Sequence, residues 1–381
     1  MTSRRRFLRV AGTSALILAA GAAGLTQCDP MPEAAVEAWR GPVPSVKDPR
    51  VRALSYALLA PNPHNRQPWI VDLREPGVIS FFCDRSRLLP ETDPFSRQIM
   101  IGCGAFLELL RIAAAELGFH TDFNTFPVGA WAANEIRDEP ICQIVFNSNV
   151  KVLPDRLFKQ ALQRRTNRNA YDLTPVSRAD AASLGDQMRG QDVRFGWTDE
   201  PSALVRLRDI ARRAWAIEVN KDSTYLESVK LFRITAPEIA RHRDGLSFHG
   251  PFFWWLNKLN LFSRETATDD FARKQALDLI ETHLKTPAFA WIVTARNDRR
   301  AQLDAGAAYV RANLQATELG LALHPLSQAL QEFPEMLPLL AEHKRALNLP
   351  ESETVQMFFR LGRAPAFEPA PRRPLAEILR T

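Results

Sequence analysis

The sequence has little cysteine and lacks the local motifs of several enzyme classes. Its four cysteines, Cys28, Cys83, Cys103 and Cys142, include no CxxC pair, so neither a zinc site nor a disulfide framework is indicated. There is no HExxH, no GxSxG, no Walker-type glycine loop and no GxGxxG after a strand-like segment. Metalloprotease, serine hydrolase, P-loop and classical dinucleotide-binding chemistry therefore have no support in the sequence.

The body of the chain also has little net charge. The formal net charge is +6, but Arg4, Arg5, Arg6 and Arg9 supply four of these charges, which leaves about +2 for residues 28–381. A nucleic-acid partner is therefore not indicated by charge. More than 350 residues with 46% hydrophobic content can build one large hydrophobic core or two ordinary ones.

The first residues have the features of an export signal. Ser3-Arg4-Arg5-Arg6-Phe7-Leu8 precedes an uncharged stretch, Val10 to Leu25, that is shorter than the roughly 20 residues a membrane-spanning helix needs. We predict a twin-arginine signal over residues 1–27, which sends a folded chain through the twin-arginine translocation machinery to the periplasm or beyond. Two alternatives stay open. One is an uncleaved membrane anchor, and the other is a lipid anchor at Cys28, because Leu25-Thr26-Gln27-Cys28 resembles a lipoprotein cleavage site.

The folded body is expected to begin near Pro49. Residues 28–48 contain four prolines and no strong periodicity, which favours an extended linker. A helix is predicted over Val51–Leu59, and strands are predicted over Trp69–Leu73 and Val78–Phe82. This mixture indicates the α+β class.

A long-range repeat indicates two related lobes. Gly104–Gly118 recurs as Gly306–Gly320, shifted by 202 positions, with both segments predicted as helices that end at a left-handed glycine. We expect a first lobe over residues 49–160 and a second over residues 161–381, fused so that they mimic the interface of a homodimer. A monomer is therefore the expected oligomeric state.

The second lobe carries an insertion at about residues 220–290 that has no counterpart in the first. Its aromatic residues are Phe248, Phe252, Phe253, Trp254, Trp255 and Phe262. The segment fits a lid over a pocket, an amphipathic surface that contacts a membrane, or buried structure.

Two polar clusters offer ligand-binding chemistry. The loop Asn62–Trp69 contains Asn65 and Gln67, whose amides have the adjacent donor and acceptor that a flavin ring edge requires, although a Pro-rich polar turn is equally consistent. The Arg164–Arg168 segment places two guanidinium groups around the hydroxyl of Thr166, a set that can bind a phosphate dianion. The C-terminal Arg372 and Arg373 can add to that site, or both clusters can be solvated surface turns.

Together these segments resemble the nitroreductase family of FMN-dependent oxidoreductases, and within it the Acg-type branch, in which two lobes are fused in one chain. The resemblance covers nearly the whole mature protein. Besides the segments already described, it is carried by Gly320–Gln328, Phe359–Pro365 and Pro371–Pro374.

The resemblance implies one noncovalent FMN between the lobes of each chain. Arg164, Thr166 and Arg168 would hold its phosphate, with Arg372 or Arg373 nearby. The isoalloxazine ring would contact Pro63, His64, Asn65 and Gln67, and its reactive face would be approached by the backbone of Pro325, Leu326, Ser327 and Gln328. The flavin performs the redox chemistry in this scheme, so we assign no catalytic side chain and no metal site.

The function expected from these features is that of an exported FMN-binding, nitroreductase-like oxidoreductase. It would pass electrons to a small-molecule acceptor such as a nitroaromatic or quinone-like compound. An alternative is a non-catalytic flavoprotein that holds or sequesters FMN, with the insertion as a lid. A third reading is a structural or interaction protein that keeps the fold without a cofactor.

Overall fold

The computed structural model describes residues 29–188 and 192–380, so the predicted signal and Cys28 lie outside the described residues. The expected extended linker is wrong over part of its length. Residues Glu33–Val36 are helical and Glu37–Arg40 form a 3-10 turn. Trp39 is buried, and its indole N–H donates to the carbonyl oxygen of Ala370 at 2.8 Å. Burial of this large aromatic side chain favours a packed segment over a solvated tether.

Two four-stranded antiparallel sheets form the framework. The first contains β1 (Trp69–Asp72), β2 (Val78–Cys83), β3 (His120–Thr125) and β4 (Cys142–Asn147). The second contains β5 (Val193–Thr198), β6 (Ala288–Thr294), β7 (Ala322–Pro325) and β8 (Thr354–Gly362). The helices are α1 (Pro49–Ala57), α2 (Arg97–Glu116), α3 (Arg178–Asp186), α4 (Pro201–Asn220), α5 (Asp222–Lys230), α6 (Ala236–His242), α7 (Pro251–Lys258), α8 (Asp270–His283), α9 (Arg299–Glu318) and α10 (Leu337–Ala346).

The two sheets have the same topology. The spatial order is β1-β2-β4-β3 in the first and β5-β6-β8-β7 in the second, and a 20-residue helix follows the second strand of each. These helices, α2 and α9, end before Gly118 and Gly320, which have φ values of +83° and +65°. The predicted glycine caps are confirmed, and so is the predicted fold class of two fused α+β lobes.

The lobes meet where α2 crosses α9. A Cβ atom on Gly104 would stand 2.0 Å from the carbonyl oxygen of Leu303, and one on Gly306 would stand 1.9 Å from the carbonyl oxygen of Ile101. Leu303 follows Ile101 by the same 202 positions that separate the two glycines, so the contact is reciprocal, as in a two-fold interface. Only glycine permits this approach of the two backbones.

The first residue of each of these helices also makes reciprocal contacts with the opposite lobe. Arg97 reaches from the first lobe to the carbonyl oxygen of Val355 at 3.0 Å and to Glu332 at 3.0 Å. Arg299 reaches from the second lobe to the carbonyl oxygens of Phe95 at 2.8 Å and Ser96 at 3.3 Å. Both arginines are buried, so each lobe supplies backbone acceptors for a charge of the other.

The core of the first lobe contains the one described helix that is long and apolar enough to cross a membrane by length and composition. This helix is α2, and 89% of its most apolar stretch is buried inside the protein. Cys103 on this helix, Cys83 on β2 and Cys142 on β4 are buried free thiols. Stability of this lobe therefore rests on apolar packing.

The insertion is longer than predicted, since the segment between β5 and β6 begins with α4 at Pro201 and ends with α8 at His283. It contains α4 to α8 and a pair of short parallel strands, Phe232–Ile234 and Leu246–Phe248. Four of its phenylalanines pack together. Phe248 lies 4.7, 5.2 and 5.0 Å from the ring centroids of Phe232, Phe253 and Phe262. The insertion thus has a small aromatic core of its own.

The C-terminal tail crosses back to the first lobe. After β8 the chain reaches β1, where the N–H of Val71 donates to Ile378 O at 2.8 Å and the N–H of Arg380 donates to Val71 O at 2.7 Å. The tail therefore covers an edge of the first sheet. It also carries Arg372 and Arg373 from the second lobe to the first.

Candidate functional site

An arginine cluster lies where the N-terminal segment, the two lobes and the tail meet. The guanidinium carbons of Arg164, Arg165 and Arg372 stand 5.5, 4.3 and 5.2 Å from the ring centroid of Trp39. The aromatic face stabilises cations, so the buried Trp39 gathers three guanidinium groups on one side chain. A lone tryptophan in a Pro-rich stretch was the available signal for this role, but that stretch was assigned to the linker.

Several N–H groups of this cluster have no hydrogen-bond partner among the residues that the structure describes. Arg164 donates through Nη2 to the carbonyl oxygen of Leu59 at 2.6 Å, while its Nε and Nη1 are buried and unpaired within the described part of the chain. Arg372 donates to Asn65 Oδ1 at 2.7 Å and to Leu59 O at 3.2 Å, and its buried Nε is also unpaired. Unpaired buried donors of this kind are costly unless a ligand satisfies them.

The charges around Arg372 have one sign. Burial holds the pKa of Arg372 well below its usual range, and the positive charges of Arg164, Arg165 and Arg168 lower it further. Burial likewise lowers the pKa of Arg164 to about 10. Arginine still keeps its proton at neutral pH, so the cluster concentrates positive charge and suits a dianion.

Arg168 connects this cluster to the other half of the predicted site. The residue is exposed to solvent, yet the protein atoms around its guanidinium group lower its own pKa, as in a deep cleft. Its charge in turn lowers the pKa of the half-buried His64 and of the buried His283 and His324. Thr166, two residues earlier, is half-buried. Arg168 therefore lines a solvent-accessible cleft that the three histidines adjoin.

The loop from Asn62 to Trp69 is held in a demanding conformation. His64, Asn65 and Gln67 have φ values of +48°, +51° and +49°, which cost non-glycine residues about 1 kcal/mol or more each. Asn62 fixes the loop by accepting the N–H of Gln67 on Oδ1 at 2.7 Å. Pro63 begins a 3-10 turn, Pro63–Asn65, in the same loop.

The amides predicted to contact a flavin ring are occupied by protein groups. Gln67 is buried, accepts the N–H of Arg373 on Oε1 at 2.8 Å, and donates through Nε2 to the carbonyl oxygen of Arg243 at 2.9 Å. Asn65 donates to the carbonyl oxygen of Pro371 at 3.0 Å. In this structure these two side chains tie the loop to the tail and the insertion, which differs from the predicted contact with a ring.

His64 also contacts the insertion. Its Nε2 lies 3.0 Å from the hydroxyl oxygen of Ser228 on α5. Burial, and then the charges of Arg168 and Arg66, lower the pKa of His64 to about 4, so the imidazole is neutral at pH 7. A neutral imidazole can donate one hydrogen bond and accept another, and it adds no charge to the arginine cluster.

A second polar network lies close to Arg168 and was not predicted from the sequence. Arg360 on β8 donates through Nε to Nδ1 of His324 at 3.1 Å and through Nη2 to the carbonyl oxygen of Asn167 at 3.0 Å. Its guanidinium carbon stands 4.0 Å from the ring centroid of Tyr171. Because His324 accepts at Nδ1, its proton lies on Nε2. The available signal was an arginine in the middle of an otherwise apolar strand.

The predicted turn after β7 is tied to the arginine segment. The N–H of Asn167 donates to the carbonyl oxygen of Leu323 at 3.1 Å, and the N–H of Leu326 donates to Phe358 O at 2.9 Å. Pro325, Ser327 and Gln328 are half-buried beside the buried Leu326. The turn thus follows directly on His324, which adjoins Arg168.

Arg373 is not part of the arginine cluster. It donates through Nη1 to the carbonyl oxygen of Gln67 at 3.2 Å and pairs with Glu377 at 3.3 Å. Of the two tail arginines named from the sequence, Arg372 is the one with a free donor. Arg373 instead fastens the tail to the loop.

The insertion is clamped over the same loop. The buried carboxylate of Asp244 lies 2.7, 2.8 and 3.5 Å from guanidinium nitrogens of Arg233, Arg87 and Arg66. The next residue, Gly245, donates its N–H to the carbonyl oxygen of Asn65 at 3.2 Å. These contacts place part of the insertion against the predicted ring-binding loop. No group of His, Cys, Asp and Glu suited to a metal occurs in residues 29–188 and 192–380.

The chain is similar to known proteins over most of its length. The model of the nitroreductase family matches residues 161–363. A putative NAD(P)H nitroreductase of Mycobacterium tuberculosis is 28% identical over 347 residues, which cover 86% of this chain and 89% of that protein. The protein named putative NAD(P)H nitroreductase acg, from the same organism, is 27% identical over 86% of this chain and 93% of its own.

A solved structure with a similar chain is the FMN and NADPH-dependent nitroreductase NfnB of a Sphigopyxis strain, at 16% identity and a TM-score of 0.39. It covers 60% of this chain and 99% of its own. The family match extends over more than half of the sequence and includes both Arg164 and Arg360. The chain belongs to the nitroreductase family.

Proposed function

We propose that the chain is an exported FMN-dependent oxidoreductase that reduces a small-molecule acceptor. The observation that carries this proposal is the set of unpaired guanidinium N–H groups on Arg164 and Arg372, buried among like charges. A phosphate dianion would supply acceptors and negative charge at one point. Membership in the nitroreductase family supports FMN as the molecule that carries this phosphate.

The residues present fit the phosphate end of FMN. Arg164 and Arg372 would donate their free N–H groups, while Trp39 fixes their guanidinium planes. Arg168 would extend the positive charge toward His64 and His324. Bound FMN supplies two-electron redox chemistry, and the protein supplies binding, orientation and exclusion of water. The acceptor would enter beside Arg168, which is exposed.

The test is flavin content in matched variants. The purified full chain should be yellow and bind one FMN. Arg164→Met and Arg372→Met should each weaken FMN binding at least about tenfold, since each removes a charge-assisted contact to phosphate. Arg373→Met is the matched control, because this neighbour of Arg372 already has partners in Gln67 and Glu377. A colourless protein that takes up no FMN, or equal affinity in all three variants, would refute the proposal.

A second candidate function is the holding of FMN without turnover. It is favoured by the clamp of Asp244 and by the contacts of the insertion with His64 and Gln67, which restrict the loop side of the site. The same holoprotein separates the two functions. An oxidoreductase becomes bleached on addition of a soluble quinol and is reoxidised by a nitroaromatic acceptor, whereas a holding protein stays oxidised.

Export is proposed on the residues before the described part of the chain. The Arg4-Arg5 pair and the uncharged stretch Val10 to Leu25 support passage through the twin-arginine machinery. This route carries folded chains, and so fits a cofactor held between two lobes. The variant R4K/R5K should retain the full chain in the cytoplasm, whereas R9K should still be exported. Equal periplasmic amounts of the two variants in cell fractions would contradict the proposal.

A further inference from the structure

The helix α7 presents apolar side chains to solvent along one face. Phe252 is 44% exposed and Leu259, directly after the last turn, is 49% exposed. They are seven residues apart, so they lie on the same side of the helix, with the half-buried Trp255 between them. The stripe Phe252-Trp255-Leu259 is called the outer face of α7 below.

The adjacent side of α7 is used for packing. Leu256 is buried, and Phe253 contacts Phe248 and Phe262 at ring distances of 5.2 and 5.5 Å. The helix therefore already has its intramolecular face. The outer face is additional apolar surface. In an amphipathic helix of a water-soluble domain, positions exposed in this way normally carry polar residues.

The N-terminal end of the described chain lies at the start of this helix. The carbonyl oxygen of Asp29 accepts the N–H of Gly250, the residue before α7, at 2.8 Å. The carboxylate of Asp29 accepts the N–H of Ala236 at 2.6 Å. Two hydrogen bonds to the insertion therefore fix the position of Asp29, the residue that follows residues 1–28 in the chain.

Those preceding residues are the ones that would interact with lipid. The stretch Val10 to Leu25 has no charge, and Cys28 stands in a sequence that resembles a lipoprotein cleavage site. An apolar anchor or an acylated Cys28 would therefore lie within a few residues of α7. We propose that the outer face of α7 rests on a lipid bilayer, as a second contact beside the N-terminal anchor.

The chemistry of α7 fits the interfacial region of a membrane. Tryptophan and phenylalanine with leucine on one face are typical of helices that lie in the plane of the interface. Lys258 places its ammonium 5.6 Å from the ring centroid of Trp254 and is exposed. An exposed lysine beside interfacial aromatics suits contact with anionic headgroups. Two weak contacts hold a protein on a membrane far better than one.

The experiment uses the full chain reconstituted into vesicles of phosphatidylcholine and phosphatidylglycerol with brominated acyl chains, which quench tryptophan at the bilayer. Wild-type protein should be quenched through Trp254 and Trp255, and W254F/W255F should lose most of that quenching. The double variant F252S/L259S should reduce the quenching at least about twofold, since it makes the outer face polar. The matched control L153S/L173S removes two other exposed leucines, which are 78% and 68% exposed, and should leave the quenching unchanged.

Each result decides the proposal. Equal quenching of wild type and F252S/L259S would overturn it, because the anchor alone would then set the contact. A vesicle-free chain that self-associates, and becomes monomeric in F252S/L259S, would assign the outer face to a second copy and would also overturn it. Thermal unfolding of each variant identifies any loss of fold. The flavin proposal stands or fails separately, since none of these residues touches the arginine cluster.

Discussion

The two lobes share a topology but differ in what they bury. In the first lobe, α2 buries apolar side chains almost throughout, with Arg97 and Glu108 as its buried charged residues. The equivalent helix α9 buries Gln302, Asn313 and Gln315 together with Arg299. One lobe is therefore held chiefly by hydrophobic packing and the other by packing combined with hydrogen bonds that must each be satisfied.

The difference between the two lobes goes with the length of the connection between the first two strands of each sheet. Between β1 and β2 the chain needs only residues 73–77, whereas between β5 and β6 it carries residues 199–287. The long connection brings buried carboxylates such as Glu218, Glu227 and Asp244 into the second lobe. Glu227 accepts the N–H of Thr92 at 2.9 Å and Asp244 pairs with Arg87, so these carboxylates link the insertion to the first lobe. The shared framework sets the interface, and the added segment attaches to it through polar contacts.

The largest expected effect tests what the lobes share. Gly104→Ala and Gly306→Ala should each destabilise the protein by at least about 3 kcal/mol, because the new methyl group would meet a backbone carbonyl near 2 Å and the helices would have to separate. Urea denaturation of the full chain measures the effect. A reciprocal interface predicts similar losses at the two positions.

The controls for Gly104→Ala and Gly306→Ala are the same substitutions at the glycines that follow the ends of α2 and α9. Gly118→Ala and Gly320→Ala place a side chain at positive φ without a backbone collision, so each should cost only about 1 kcal/mol. If Gly104→Ala costs no more than Gly118→Ala, the close crossing of α2 and α9 is wrong. A large loss at one crossing glycine alone would show that the two lobes contribute unequally to the interface.

A smaller effect tests what only the second lobe has. Burial, opposed by the hydrogen bond from Gln331 and reinforced by the charge of Glu227, raises the pKa of Glu218 from 4.5 to about 7. The folded state thus favours the protonated form. The contribution of Glu218 to the free energy of unfolding is therefore complete below pH 4.5 and is lost as the pH rises through 7. The loss amounts to up to about 3 kcal/mol.

Glu218→Gln removes this titration and keeps an oxygen that can accept from Gln331. The difference in unfolding free energy between the variant and the wild type should therefore grow in favour of the variant between pH 5 and pH 8. Urea denaturation at several pH values measures it, and other titrating groups cancel in the difference. Parallel pH profiles for the two proteins would show that Glu218 stays ionised in the fold.

The sequence predicted the elements best where one local pattern decides the structure. The strands predicted over Trp69–Leu73 and Val78–Phe82 are present at Trp69–Asp72 and Val78–Cys83, because short runs of apolar residues between turns leave little choice. The glycine ends of α2 and α9 were predicted for a similar reason. The match of Gly104 with Gly306 also indicated the two lobes, although the sequence did not show that these glycines contact the opposite helix.

The candidate site was predictable in residue type but not in partners. Arg164 and Arg372 were named as phosphate ligands, and the structure gives both of them unpaired donors; their role in binding stays a prediction. Trp39, Asp244 and Arg360 were missed, because their importance depends on contacts with residues more than 100 positions away or in neighbouring strands. Gln67 was predicted to contact a flavin ring because of its amide. In the structure that amide accepts the N–H of Arg373 and donates to the carbonyl oxygen of Arg243.

The return of the tail to the first lobe has a consequence for biosynthesis. Arg372 completes the arginine cluster around Trp39, and residues 378–380 pair with Val71, a partner made some 300 residues earlier. The cluster cannot close before Arg372 has emerged from the ribosome. The nascent chain therefore holds Trp39 and Arg164 without their third partner for most of its synthesis, and the candidate site forms late in folding.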